Sequence, residues 1–67
     1  MRAPHLTRRQ WDVIHLLVQG LTTGQIADRL SIAPGTVRHH REHILRAFDV
    51  TTTVEVARWY GRYVDAH

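Results

Sequence analysis

Sixty-seven residues with nine arginines, no lysine and six acidic residues carry a net charge of +3, and the isoelectric point is near 10.6. A chain this short makes one domain, 1–67 with its core over about 6–64, and buries only about 60% of its unfolded surface. Having no cysteine, it excludes disulfides and thiolate metal sites; no apolar run approaches the roughly 20 residues of a membrane span, and the polar start Met1-Arg2-Ala3-Pro4-His5 is too short for a signal peptide, so a cytoplasmic location is expected.

The first element is announced by Leu6-Thr7-Arg8-Arg9-Gln10-Trp11. Thr7 followed three residues later by Gln10 is a capping box, and apolar Leu6 and Trp11 flank it as a hydrophobic staple. A helix is predicted from about Arg8 to Gln19, ended by Gly20, with Trp11, Ile14, Leu17 and Val18 toward the core and His15 half-exposed. Leu21-Thr22-Thr23-Gly24-Gln25-Ile26 repeats the signal and opens a second helix, about Thr23 to Leu30. Glutamine in the box keeps the reciprocal hydrogen bond but gives up a favourable charge at the helix N-terminus, about 0.3–1 kcal/mol.

Small Ala27, with Ile26 and Leu30 on the same face, lets another helix come close. Ser31-Ile32-Ala33 is too short for anything but an abrupt turn, and Pro34 suits a first helical position. Two helices joined so briefly form a helix-turn-helix. The third helix, about Pro34 to Phe48, turns Val37, Ile44, Leu45 and Phe48 inward and Arg38, His39, Glu42, His43 and Arg46 outward, with the stem of Arg41 along the core edge. Asp49 must supply its stop. Thr52-x-x-Glu55 reads as a further capping box for a fourth helix, about Thr53 to Val64, holding Val56, Ala57, Trp59, Tyr60 and Tyr63. The expected fold is all-α, a four-helix bundle containing a helix-turn-helix.

The outward face of helix three carries the chemistry. A helix fits the DNA major groove, where arginine pairs with guanine O6 and N7 and glutamate accepts from cytosine N4, so Arg38 and Glu42, four apart, are candidate base readers. The plainer alternative for them is an internal ion pair or a solvated face. Thr22, Thr23 and Gln25 at the start of helix two, with Thr36, His39, His40, Arg41 and Arg46, are candidate phosphate contacts; capping alone is the competing use of the threonines. Arginine-only usage suits forked contacts to phosphate and guanine, although a GC-rich genome gives the same bias. His39 and His43 stand at zinc-gripping spacing, but the glutamate of a zinc protease does not directly follow His39 and no further ligand cluster exists, so no metal and no cofactor is expected. No serine–histidine–carboxylate set, phosphate loop or convergent acid pair marks an enzyme. Trp59, Tyr60 and Tyr63 are too crowded for all three to be buried, and exposed aromatics point to a partner.

Leu6-Thr7-x-Arg9, Gly20-Leu21-Thr22, Ile26-Ala27-x-x-Leu30, Pro34-Gly35-Thr36-Val37-x-x-His40, Ile44-Leu45-Arg46 and Val50 stand in the order and spacing of the LuxR/GerE-type DNA-binding domain, which the chain resembles from about Leu6 to Arg58. Gln10 and Gln25 stand where glutamate is common, Ala33 where serine caps the third helix, Asp49 where glycine is typical and Thr53 where arginine is expected. The resemblance implies a bacterial transcriptional regulator that binds double-stranded DNA in a sequence-specific way at the nucleoid. Its third helix would sit in the major groove, and a homodimer would form through the fourth, with Trp59, Tyr60 and Tyr63 as the contact. Larger members join this domain to a receiver or ligand-sensing domain; this chain is either such an effector domain or a stand-alone regulator, which the Met1 start fits. The rival is a protein-interaction module of the same fold, docking on RNA polymerase or another regulator without reading DNA. A promoter reader similar to the last region of a sigma factor is a nearer rival, disfavoured by Thr36-Val37-x-x-His40.

Overall fold

The structure, a computed structural model, describes residues 4–66; most of the polar start, residues 1–3, and the final residue, 67, lie outside the described residues. Helices α1 (Arg8–Val18), α2 (Thr23–Leu30), α3 (Pro34–Phe48) and α4 (Thr53–Ala66) follow in the predicted order, and no strand occurs among the described residues.

The first two helices start as their sequences demand. Thr7 Oγ1 accepts from the Gln10 N–H at 3.2 Å while Gln10 Oε1 accepts from the Thr7 N–H at 2.9 Å, and Thr22 and Gln25 repeat the pair at 3.2 and 2.8 Å. Helix α3 has no such device: Ala33 offers no side-chain cap, and Pro34 fills the first turn. The box expected at Thr52 is corrected. Glu55 Oε2 accepts from the N–H groups of Thr51 and Thr52 at 3.2 and 3.3 Å, but the Thr52 hydroxyl donates to the same carboxylate at 3.5 Å instead of capping the helix.

Helices α1, α2 and α3 end alike. A left-handed residue, Gly20 (φ 89°), Ser31 (φ 57°) or Asp49 (φ 56°), reverses the chain, and an apolar residue follows it. The N–H groups of Leu21, Ile32 and Val50 reach back to the carbonyls of Leu16, Ala27 and Leu45 at 3.3, 3.0 and 3.0 Å, and each of the three side chains packs against the core. Asp49 thus supplies the expected stop, and Ser31 supplies one that the sequence pattern did not reveal.

Val13, Ile14 and Leu16 of α1, Ile26 and Ala27 of α2, Val37 and Ile44 of α3, and Val56 and Trp59 of α4 make the core. Helix α2, at eight residues, is too short to be stable alone, so its packing on α3 holds it. Burial of Ile26 against that seam stabilises the pair by about 1.5–3 kcal/mol, more than either cap contributes. Along α1 the expected apolar set is shifted: Ile14 is buried, Val13 and Leu16 join it, and Trp11, Leu17 and Val18 are only half-buried.

Of the three α4 aromatics expected to be too crowded for burial together, Trp59 is the one that is buried. It is 5% exposed, lying edge-to-face on Phe48 (ring centroids 4.7 Å apart) and stacked with Trp11 (6.0 Å) and Tyr63 (4.8 Å), while Trp11 also stacks on Tyr63 at 5.8 Å. Tyr60 meets His15, its hydroxyl 3.2 Å from Nδ1. The aromatics fit because they share faces with one another between α1 and α4, leaving Tyr60 and Tyr63 half-buried.

Candidate nucleic-acid interface

Helix α3 runs 15 residues, roughly 22 Å. Val37 and Ile44 anchor its inner side, and the 3.6-residue period then turns Thr36, Arg38, His39, Glu42, His43 and Arg46 to solvent. His40 and Arg41 lie between these faces, half-buried, as the arginine's long stem allows. The rings of His39 and His43 meet edge-to-face with centroids 6.0 Å apart.

Charge on this face is mostly positive and not neutralised internally. Glu42 is the one acidic residue of α3. Among the described residues the only ion pair joins Arg9 to Asp12 at 3.8 Å on α1, so no bridge holds Arg38 to Glu42. Both side chains stand exposed with their hydrogen-bonding capacity uncommitted. His40 differs from its neighbours: its pKa is lowered from the ordinary value by burial first, then by nearby His39, Arg9 and His43. It is therefore neutral at pH 7, a hydrogen-bonding group and not a charge.

At the start of α2 the capping box consumes acceptors and spares donors. Thr22 Oγ1 accepts from Gln25 N–H and Gln25 Oε1 accepts from Thr22 N–H, which leaves the hydroxyl hydrogen of Thr22 and the amide NH₂ of Gln25 turned to an exposed surface. Thr23 beside them is half-buried. Capping and phosphate contact at Thr22 are thus compatible, since they use opposite ends of one hydroxyl.

Trp59 reaches the surface only at the floor of a groove it shares with Phe48, Val50, Glu55, Arg58 and Arg62, and Tyr60 and Tyr63 offer only part of theirs. The apolar surface that α4 does expose belongs to Val54 (60%) and Val64 (50%). The sequence reading also passed over a groove of about 500 Å³ where the start of α1 meets the C-terminal half of α3, with His5, Thr7, Gln10, His43 and Arg46 among its walls. The signal available for it was the Thr7-x-x-Gln10 box, read only as a cap. No helix among the described residues is long and apolar enough to cross a membrane.

The family described as bacterial regulatory proteins, luxR family, matches residues 4–60. The nitrate/nitrite response regulator protein NarL of Escherichia coli (strain K12) is 41% identical over 54 residues, which are 81% of this chain and 25% of that protein. The transcriptional regulatory protein UhpA of the same strain is 37% identical over 57 residues, 85% of this chain and 29% of that protein. The transcriptional regulatory protein DesR of Bacillus subtilis (strain 168) is 40% identical over 50 residues, 75% of this chain and 25% of that protein. The chain thus spans between a quarter and a third of the length of these relatives.

Proposed function

The chain belongs to the luxR family of bacterial regulatory proteins, and from that premise we propose that it is the sequence-specific DNA-binding domain of a transcriptional regulator, with α3 in the major groove. The observation that carries this reading is the outer face of α3, where Arg38, Glu42, His43 and Arg46 are exposed and no ion pair ties Arg38 to Glu42. The family is one of regulators, not of enzymes.

In this reading Arg38 addresses a guanine edge and Glu42 a cytosine amino group. Thr36, His39, Arg41 and Arg46 hold phosphates on the α3 side. Thr22 and Thr23 hold another at the start of α2, where free N–H groups add to the hydroxyl donors. Neutral His40 contributes a hydrogen bond. Pairing of two copies through α4 would use exposed Val54 and Val64 with the outer edges of Tyr60 and Tyr63, since Trp59 is committed to the core.

Selection of bound duplexes from a random pool tests the reading, followed by affinity measurements over a salt series. The expected result is an enriched motif and an affinity that falls linearly on a log–log plot as salt rises. Enrichment of no sequence, with tight salt-insensitive binding to RNA polymerase or another regulator, would establish the protein-docking rival instead.

A further inference from the structure

The groove between the start of α1 and the C-terminal half of α3 has a chemical bias that neither helix shows alone. Its polar walls are His5, Thr7, Gln10, His43 and Arg46, and none of its lining residues is acidic. Gln10 is the decisive one: 9% exposed, it is the buried polar residue among the described residues, and its Oε1 is occupied by the Thr7 N–H. Its amide nitrogen makes no hydrogen bond within the described structure and is not sealed off from solvent, so this groove-lining residue keeps a free NH₂ donor. Thr7 is committed in the same sense, its oxygen accepting from the Gln10 N–H while its hydroxyl hydrogen remains available. Arg46 brings a guanidinium, and the imidazoles of His5 and His43 bring two further ring N–H donors.

Each of these groups thus has a donor to offer, and none carries a negative charge. The complementary ligand is an anion with several acceptor oxygens on one centre, and the guanidinium fork suits a phosphate. We propose that this groove is a phosphate-binding site, filled by a phosphodiester of the DNA backbone beyond the stretch that α3 reads. That the source is DNA rests on the function proposed above; the donor set itself does not.

The test uses the full chain and three variants. Gln10→Glu places a carboxylate where the amide stands while keeping the capping box, and an acid in a first helical turn favours the helix. Ala47→Glu places the same charge at the groove's exposed rim without touching α1. Gln19→Glu adds it at the opposite end of α1 as a control for general repulsion. Anisotropy with a duplex of arbitrary sequence over a salt series should show both groove variants weakened several-fold at low salt, with the salt slope smaller by about one. The Gln19→Glu protein should match the wild type, and the Gln10→Glu protein should melt no lower. Inorganic phosphate, added alone, should move the ring signals of His5 and His43 in the wild type but not in Gln10→Glu. If the wild type binds no duplex but phosphate moves those signals, the DNA reading fails and the groove takes free phosphate. If both groove variants bind duplex with wild-type affinity and slope, or lose no more than Gln19→Glu, and phosphate leaves the two histidines unmoved, the proposal is overturned.

Discussion

Helices α3 and α4 both carry residues that catch the eye in the sequence, charged and imidazole groups on one and aromatic rings on the other, but the fold treats them oppositely. On α4 the rings are largely spent on one another and on α1: Trp59 is covered by Phe48, Trp11 and Tyr63, and half-buried Tyr60 meets His15. On α3 the polar groups are left over, with Arg38 and Glu42 unbridged. A residue type that suggests recognition becomes evidence for it only where the fold leaves the residue without another use. The groups free for recognition therefore lie chiefly on α3, while α4 serves the core and exposes Val54 and Val64.

The contrast can be broken most violently at Trp59. Its replacement by alanine should cost about 3–5 kcal/mol, because a large buried ring leaves a cavity among other rings that cannot close around it. For so small a domain that is most of the stability. Urea denaturation followed by helical signal should show a largely unfolded protein, and a stable, helical Trp59→Ala variant with altered self-association would return Trp59 to the surface.

A smaller effect is expected at Glu42, the acid on the open face. Glu42→Gln should leave stability unchanged and strengthen binding to arbitrary duplexes by about 0.2–1 kcal/mol, the scale of a solvent-exposed charge interaction. If it also reads cytosine, preference should relax at one base pair alone. Unchanged affinity and unchanged preference would show that the carboxylate faces away from DNA.

The smallest effect is one of pH and comes from His40, which lies between the two regimes. Its folded pKa is lowered, so the unfolded chain holds the proton more tightly. Stability is then fully present above the ordinary histidine value of about 6.5 and falls as the pH drops from there toward the folded value. Denaturation midpoints compared at pH 7.5 and below 6 should show the acid protein weaker, and His40→Gln should flatten the difference. Acid stabilisation would contradict the burial that sets this shift.

How much of this was legible follows from how local each feature is. The capping boxes at Thr7 and Thr22, the stop at Gly20 and the uncapped Ala33 are decided within a few residues, and the helix order with them. The inward and outward sides of α3 follow from period alone. The left-handed Ser31 was not legible, since serine carries no strong signal for that conformation and is held there by the packing of Ile32 behind it. The seating of Trp59 depends on Trp11, 48 positions earlier, and the pattern on α4 only counts rings without showing what covers them. The groove at Gln10 was hidden for the same reason: one wall comes from α1 and the other from α3.

The central claim, that α3 reads base edges while surrounding groups hold the backbone, is tested most directly by measuring Arg38→Ala and Arg46→Ala against a selected site and an unrelated duplex at the same salt. Arg38→Ala should lose about 1–3 kcal/mol of discrimination with little change on the unrelated duplex. Arg46→Ala should weaken both duplexes alike and lower the salt slope by about one. Equal proportional loss on both duplexes in both variants would contradict the division of roles and leave α3 as a basic surface that does not read sequence.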